Sequence, residues 1–122
     1  MLKDLALISL GAILGANSRY LLSAFLNGSL RPLPFVPGTL VVNVLGCFLA
    51  GLFFVFAAKY EALAPYRLFI VVGFLGSFTT FSAFSTESLA LLDSSLAAFF
   101  INVLLNVLAS LAATALAIVL FK

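Results

Sequence analysis

The chain has 122 residues, 65% of them apolar and only 8% charged, with a mean hydropathy of +1.32 and a formal net charge of +2. Soluble domains carry roughly 45–50% apolar and about 25% charged residues, so the composition excludes an ordinary water-soluble domain and points to the membrane class. Spans of about 20 apolar residues, four in number, would use most of the length, so residues 1–122 are read as a single four-span transmembrane domain.

Reactive groups are few: no His, no Trp, one Cys (Cys47) and four acids, Asp4, Glu61, Glu87 and Asp93. A lone Cys forms no intramolecular disulfide, and without His or a second Cys a zinc or other transition-metal site is implausible. Acid–base catalysis calls for a His or a positioned carboxylate pair. Of the acids only Glu87 is a candidate for burial, so an enzyme is not expected. The six Lys and Arg do not cluster, which argues against a nucleic-acid partner and leaves the lipid bilayer.

The first predicted span covers about 5–26 and ends at Asn27-Gly28-Ser29. It follows Lys3 as a secretory signal would, but it continues past Arg19 as far as Leu26, too long for a signal's core. Arg19 sits toward its end, where a guanidinium can reach an interface or vestibule and concentrate anions. Gly11 and Gly15 begin a series of small residues four apart, continued by Gly46 and Ala50, Cys47 and Gly51, and Ala109, Ala113 and Ala117. Such spacing allows close helix approach, either within a subunit or between subunits.

A loop from Leu30 to Pro37, with three prolines and Arg31, leads to the second span at about 38–58. Asn43 stands alone there among aliphatics, with Thr39 one turn before it on the same face. Its amide offers two N–H donors and an acceptor, enough to cap an anion or another helix's backbone.

Lys59, Glu61, Pro65 and Arg67 mark the second loop, and the third span covers about 68–92. From Ser77 to Ser88 it holds eight polar residues, three Phe and one Ala. Ser and Thr can bond back to their own helix carbonyls, but eight polar groups including a carboxylate exceed that provision and indicate an interior pathway. Gly73 and Gly76 precede the β-branched pair Thr79-Thr80, which predicts a helix broken near the midplane. Carbonyls freed at such a break suit a hard cation such as sodium. Phe78, Phe81 and Phe84 recur at i, i+3 and i+6 and are predicted to form a stripe on one helical face. Such a stripe serves packing, or, among hydroxyls, presents positive ring edges to a small anion.

Asp93, Ser94 and Ser95 separate off a fourth span at about 96–121, where Asn102, Asn106 and Ser110 make one polar stripe. Each could serve interhelical hydrogen bonding, but polar stripes on three spans are more economically a shared ionic track. Four spans put both termini and the second loop on one side. That side carries Lys3, Lys59, Arg67 and Lys122 against Arg31 and Arg19, a weak bias toward termini inside and weak enough for insertion in both orientations.

Three stretches, Gly15 to Tyr20, Pro37 to Asn43 and Gly73 to Ser85, closely resemble the signatures of the Fluc (CrcB) fluoride channels, and the resemblance extends over all four spans. It implies a fluoride-selective anion channel of the bacterial inner membrane that exports fluoride passively. It also implies an antiparallel dual-topology dimer, of the chain with itself or with a paralogous subunit, with a structural sodium ion at its centre. Carried over by position, Phe81 and Phe84 match the pore phenylalanines and Asn43 the pore asparagine. Gly76 and Thr79 match the residues whose carbonyls hold sodium. Thr39, Ser82 and Glu87 resemble the polar track and Arg19 the vestibule arginine. The candidate anion pathway is therefore Asn43, Phe81, Phe84, Ser82, Thr80, Thr39, Glu87, Asn106 and Ser110. Ser77 departs from a glycine common in the motif, and Asn102 stands where a tyrosine is frequent. The rival reading is a small four-span proton-coupled exporter of the multidrug type, whose mechanism wants a carboxylate within the first span, and the span at about 5–26 has none.

Overall fold

The structure, a computed structural model, describes residues 1–30 and 33–122. Arg31, counted above in the positive-charge bias, and the loop proline Pro32 lie outside the described residues. Four helices are long and apolar enough to cross a membrane: Leu2–Ser29, Pro37–Lys59, Leu68–Leu92 and Leu96–Phe121. No strand occurs among the described residues, as lipid requires of a chain that must satisfy its backbone within each segment.

The helices run past the ends that hydropathy marks. The first takes in Asp4, whose carboxylate lies 3.1 Å from the N-terminal ammonium in the first turn, where the helix dipole favours negative charge. The expected lack of a carboxylate in the first span therefore holds for its interior and not for its first turn. Pro37 opens the second helix, where its missing N–H costs nothing. Asn27 Oδ1 accepts the Gly38 N–H at 2.8 Å across the connection. The second loop is itself a short 3₁₀ helix, Glu61–Tyr66.

The first span packs chiefly on the first half of the third, and the second span on the last part of the fourth, Ser110–Phe121. Glycine makes the first contact possible. A Cβ on Gly15 would collide with the Phe74 carbonyl oxygen, and one on Gly73 would stand 2.5 Å from Ile8 O. In the second contact a Cβ on Gly51 would stand 2.9 Å from the Ala117 Cβ, and Ala113 and Ala117 are buried. Of the two uses open to the small-residue series, these positions serve packing within the subunit. Thr114 Oγ1 donates to Cys47 O at 3.0 Å, and Lys59 Nζ to Phe121 O at 2.7 Å, which fixes the ends of the second and fourth spans side by side.

The third span is not one uniform helix. Leu68–Leu75 is wound with the wider i→i+5 spacing, Gly76–Phe78 is α-helical, and Phe81–Leu92 is again α-helical. Between them Thr79 (φ −82°, ψ 156°) and Thr80 (φ −149°, ψ 114°) are extended. This overturns the expected single-face stripe of phenylalanines. Phe78 ends the first helical stretch and stacks on Phe74, centroids 5.6 Å apart, whereas Phe81 and Phe84 meet edge to face at 5.3 Å on the next helix. Two extended residues break the rotation of 100° per residue on which the stripe depends.

Candidate functional site

The polar residues of three spans meet around the extended pair. Thr80 begins the helix Phe81–Leu92 as its N-cap, its hydroxyl accepting the Ala83 N–H at 3.2 Å. Its own peptide is held by Asn43, whose Oδ1 accepts the Thr80 N–H at 2.8 Å and whose Nδ2 donates to Thr80 O at 3.2 Å. The second Asn43 N–H goes to Asn106 Oδ1 at 3.1 Å. One side chain on the second span thus replaces the helical acceptor that the Thr80 N–H gives up.

The consequence falls on two carbonyls. In a continuing helix Gly76 O would receive the Thr80 N–H and Thr79 O the Ala83 N–H. Those donors go instead to Asn43 Oδ1 and Thr80 Oγ1. Thr79 itself is anchored, its hydroxyl donating to Leu75 O at 3.0 Å and its methyl filling the space at which a Cβ on Gly46 would point.

Further along the third span, Thr39 Oγ1 donates to Glu87 Oε1 at 2.8 Å, and Glu87 Oε2 is buried without a hydrogen-bond partner among the described residues. Thr39, Asn102 and Asn106 are buried, and so is Ser88. Ser110 Oγ is the other buried side-chain oxygen without a partner among the described residues.

Two cavities flank Thr80. The larger, about 570 Å³, is lined by Arg19, Tyr20, Ser23, Ser82, Thr86 and Glu87, among others. The smaller, about 330 Å³, is lined by Asn43, Thr79, Phe81, Phe84, Asn106 and Ser110, with Cys47, Val107 and Leu111 completing its wall. Thr80 borders both. The candidate pathway residues therefore fall into a vestibule group, Ser82 and Glu87 with Arg19, and an aromatic-amide group, Asn43, Phe81, Phe84, Asn106 and Ser110. Thr39 touches neither cavity and reaches the first through Glu87. Gly76 is exposed, away from both. Chemically the pair of cavities offers hydroxyls, amides and aromatic rings, with the Arg19 guanidinium and the Glu87 carboxyl both in the wall of the larger one.

Of the two uses open to Asn102 in the polar stripe, interhelical hydrogen bonding or a shared track, its contacts are of the first kind. It is wholly buried, accepting the Val36 N–H at 3.2 Å and donating to Ser88 Oγ at 2.9 Å. The i, i+4, i+8 stripe flagged the residue; its partners, on two other spans, are not encoded in that spacing.

The sequence profile described as CrcB-like protein, Camphor Resistance (CrcB), matches residues 6–118. A protein of Campylobacter lari named fluoride-specific ion channel FluC is 42% identical, the match covering all of both chains. Proteins of the same name from Saccharophagus degradans and Pseudomonas syringae are 47% and 43% identical, over 93% and 94% of this chain and 85% and 91% of theirs.

Proposed function

The chain belongs to the CrcB-like family, and from that premise we propose that it is a fluoride-specific channel, a transport protein and not an enzyme, which lets fluoride leave the cytoplasm passively across the bacterial inner membrane. The observation that carries the reading is the cavity of about 330 Å³ between apolar spans, where a ring pair, two Asn side chains and the unpartnered Ser110 hydroxyl converge. Polar groups within a span are costly and face a pathway or cavity. Fluoride is small and strongly hydrated, so a passage must replace its water with donors. Ser82, Thr80 and Ser110 hydroxyls and the positive edges of Phe81 and Phe84 supply them without fixed charge. Both Asn43 N–H groups are engaged, so Asn43 donates to an anion by exchanging its bond to Thr80 O or to Asn106.

The functional unit is an antiparallel dimer. Phe81 is 78% exposed on a single subunit, beside Asn43 and Asn106. A ring that lines the cavity from the surface of one subunit bounds a closed passage only when covered, and a second copy of the chain, or a paralogous subunit, covers it. A structural sodium ion at the centre of that dimer suits the released Gly76 and Thr79 carbonyls, hard oxygen donors without a carboxylate. Such an ion would supply charge that pins the two broken helices together.

The reconstituted protein should empty liposomes of fluoride and leave chloride behind, read with a fluoride electrode and a chloride electrode in parallel. Equal efflux of the two anions overturns the reading. The exporter alternative has no counterpart here, since Asp4 is tied to the N-terminus at the end of the helix.

A further inference from the structure

Three contacts join the second and third spans along the candidate pathway. Asn43 holds the Thr80 peptide, Thr39 holds Glu87, and Asn102, reaching in from the fourth span, joins Val36 to Ser88. The third contact is indirect, and its polarity is dictated by its neighbours. The single hydroxyl hydrogen of Ser88 goes to Phe84 O at 2.7 Å, so Ser88 Oγ accepts and Asn102 must turn Nδ2 toward it. That leaves Asn102 Oδ1 for the Val36 N–H. Val36 lies three residues before Thr39, and Ser88 directly follows Glu87, so both ends of the Asn102 bridge abut the 2.8 Å Thr39–Glu87 contact. On its other side Asn102 O accepts from Asn106 Nδ2 at 3.0 Å, which directs Asn106 Oδ1 to Asn43.

We infer that Asn102 is a positioning residue of the anion path, bridging the Val36 N–H to Ser88 Oγ so that the second and third spans stay at the separation at which Thr39 holds Glu87. Asn102 borders neither cavity and meets no ion; it acts through Thr39 and Glu87. Apolar replacement leaves the part-buried Val36 N–H without its acceptor and takes from Ser88 Oγ the donor it accepts, and the two spans relax apart at the vestibule.

The test has two arms, of which only the second rests on the channel reading. In the first, the Glu87 carboxyl infrared band is isolated as the difference between the assembled protein and its Glu87→Gln variant. Asn102→Leu should shift that band in the direction that Thr39→Val does, and Ser88→Ala, a change of little volume that removes one end of the bridge, should shift it by less. A band unmoved by Ser88→Ala, or by an assembled Asn102→Leu, overturns the proposal. In the second arm, Thr39→Val and Asn102→Leu should each slow fluoride efflux roughly tenfold and together still roughly tenfold, because they disable one contact. A roughly hundredfold loss in the double variant means independent roles and overturns the proposal. Native protein that passes no fluoride overturns the channel reading, and the infrared arm then decides the role of Asn102 alone.

Discussion

Asn43 shows how one side chain can hold a helix break in place. It satisfies both polar groups of the Thr80 peptide and anchors Asn106. Asn43→Leu strands the Thr80 N–H and Asn106 Oδ1, at about 1–3 kcal/mol for each buried group left unmatched, while the Thr80 carbonyl, as N-cap, keeps the first bond of its own helix. The variant should unfold at a clearly lower temperature in a detergent melt and lose fluoride flux. Thr86→Val serves as the comparison: Thr86 is exposed and bonds only to the Ser82 and Ala83 carbonyls of its own helix, so its melt should change by less than about 0.5 kcal/mol. The two rings of the candidate pathway separate along another line. Phe81 makes little packing within the subunit and Phe84 is 8% exposed. Phe81→Ile should therefore cut flux sharply with the subunit's own packing nearly intact, whereas Phe84→Ile should cut flux and also cost about 1 kcal/mol of stability. Phe53→Ile, on the second span away from both cavities, should leave flux unchanged. If Phe81→Ile abolishes dimerisation with flux, the ring serves packing and not anion solvation.

At the scale of the helices, close approach is set by glycine. A Cβ on Gly15 meets the Phe74 carbonyl oxygen, which belongs to backbone and cannot step aside. Gly15→Ala should part the first and third spans and lower the melting temperature, while Gly28→Ala, with nothing within 4 Å of its Cβ, should be neutral or gain about 0.5–1 kcal/mol from better helix propensity. Differential scanning of the two purified variants checks the pair, and equal behaviour would contradict the close contact. Much of this level was legible in the sequence, because apolar runs of the right length admit only helices in lipid and Thr39, Asn43, Asn106 and Ser110 interrupt those runs visibly. The local backbone was less so. The Gly73, Gly76 and Thr79-Thr80 pattern marked the place where the third span changes, but the stripe drawn through Phe78, Phe81 and Phe84 presumed an unbroken helix and failed at two extended residues. Pairings over distance were not legible at all. Asn43 meets Thr80 37 residues away and Asn102 meets Val36 66 away, and neither separation leaves a mark in local spacing.

For the whole molecule, the exposed ring of Phe81 and the charge distribution bear on assembly together. Positive charge holds loops and termini on the cytoplasmic side. Lys3, Lys59, Arg67 and Lys122 favour one orientation over Arg19 and Arg31 by four to two, a narrow margin. A chain that inserts both ways produces the two orientations that an antiparallel pair requires, with no second gene product. A chain held in one orientation must find a paralogous partner. Cys47 lines the inner cavity, so the native thiol is a poor reporter, and Cys47→Ser with one cysteine appended after Lys122 gives a clean one. An impermeant maleimide with access to the periplasmic face of intact cells should then label about half of the chains, and all of them after lysis, if insertion is dual. Complete protection in intact cells would fix every C-terminus inside, reject the homodimer and require a second subunit to cover Phe81.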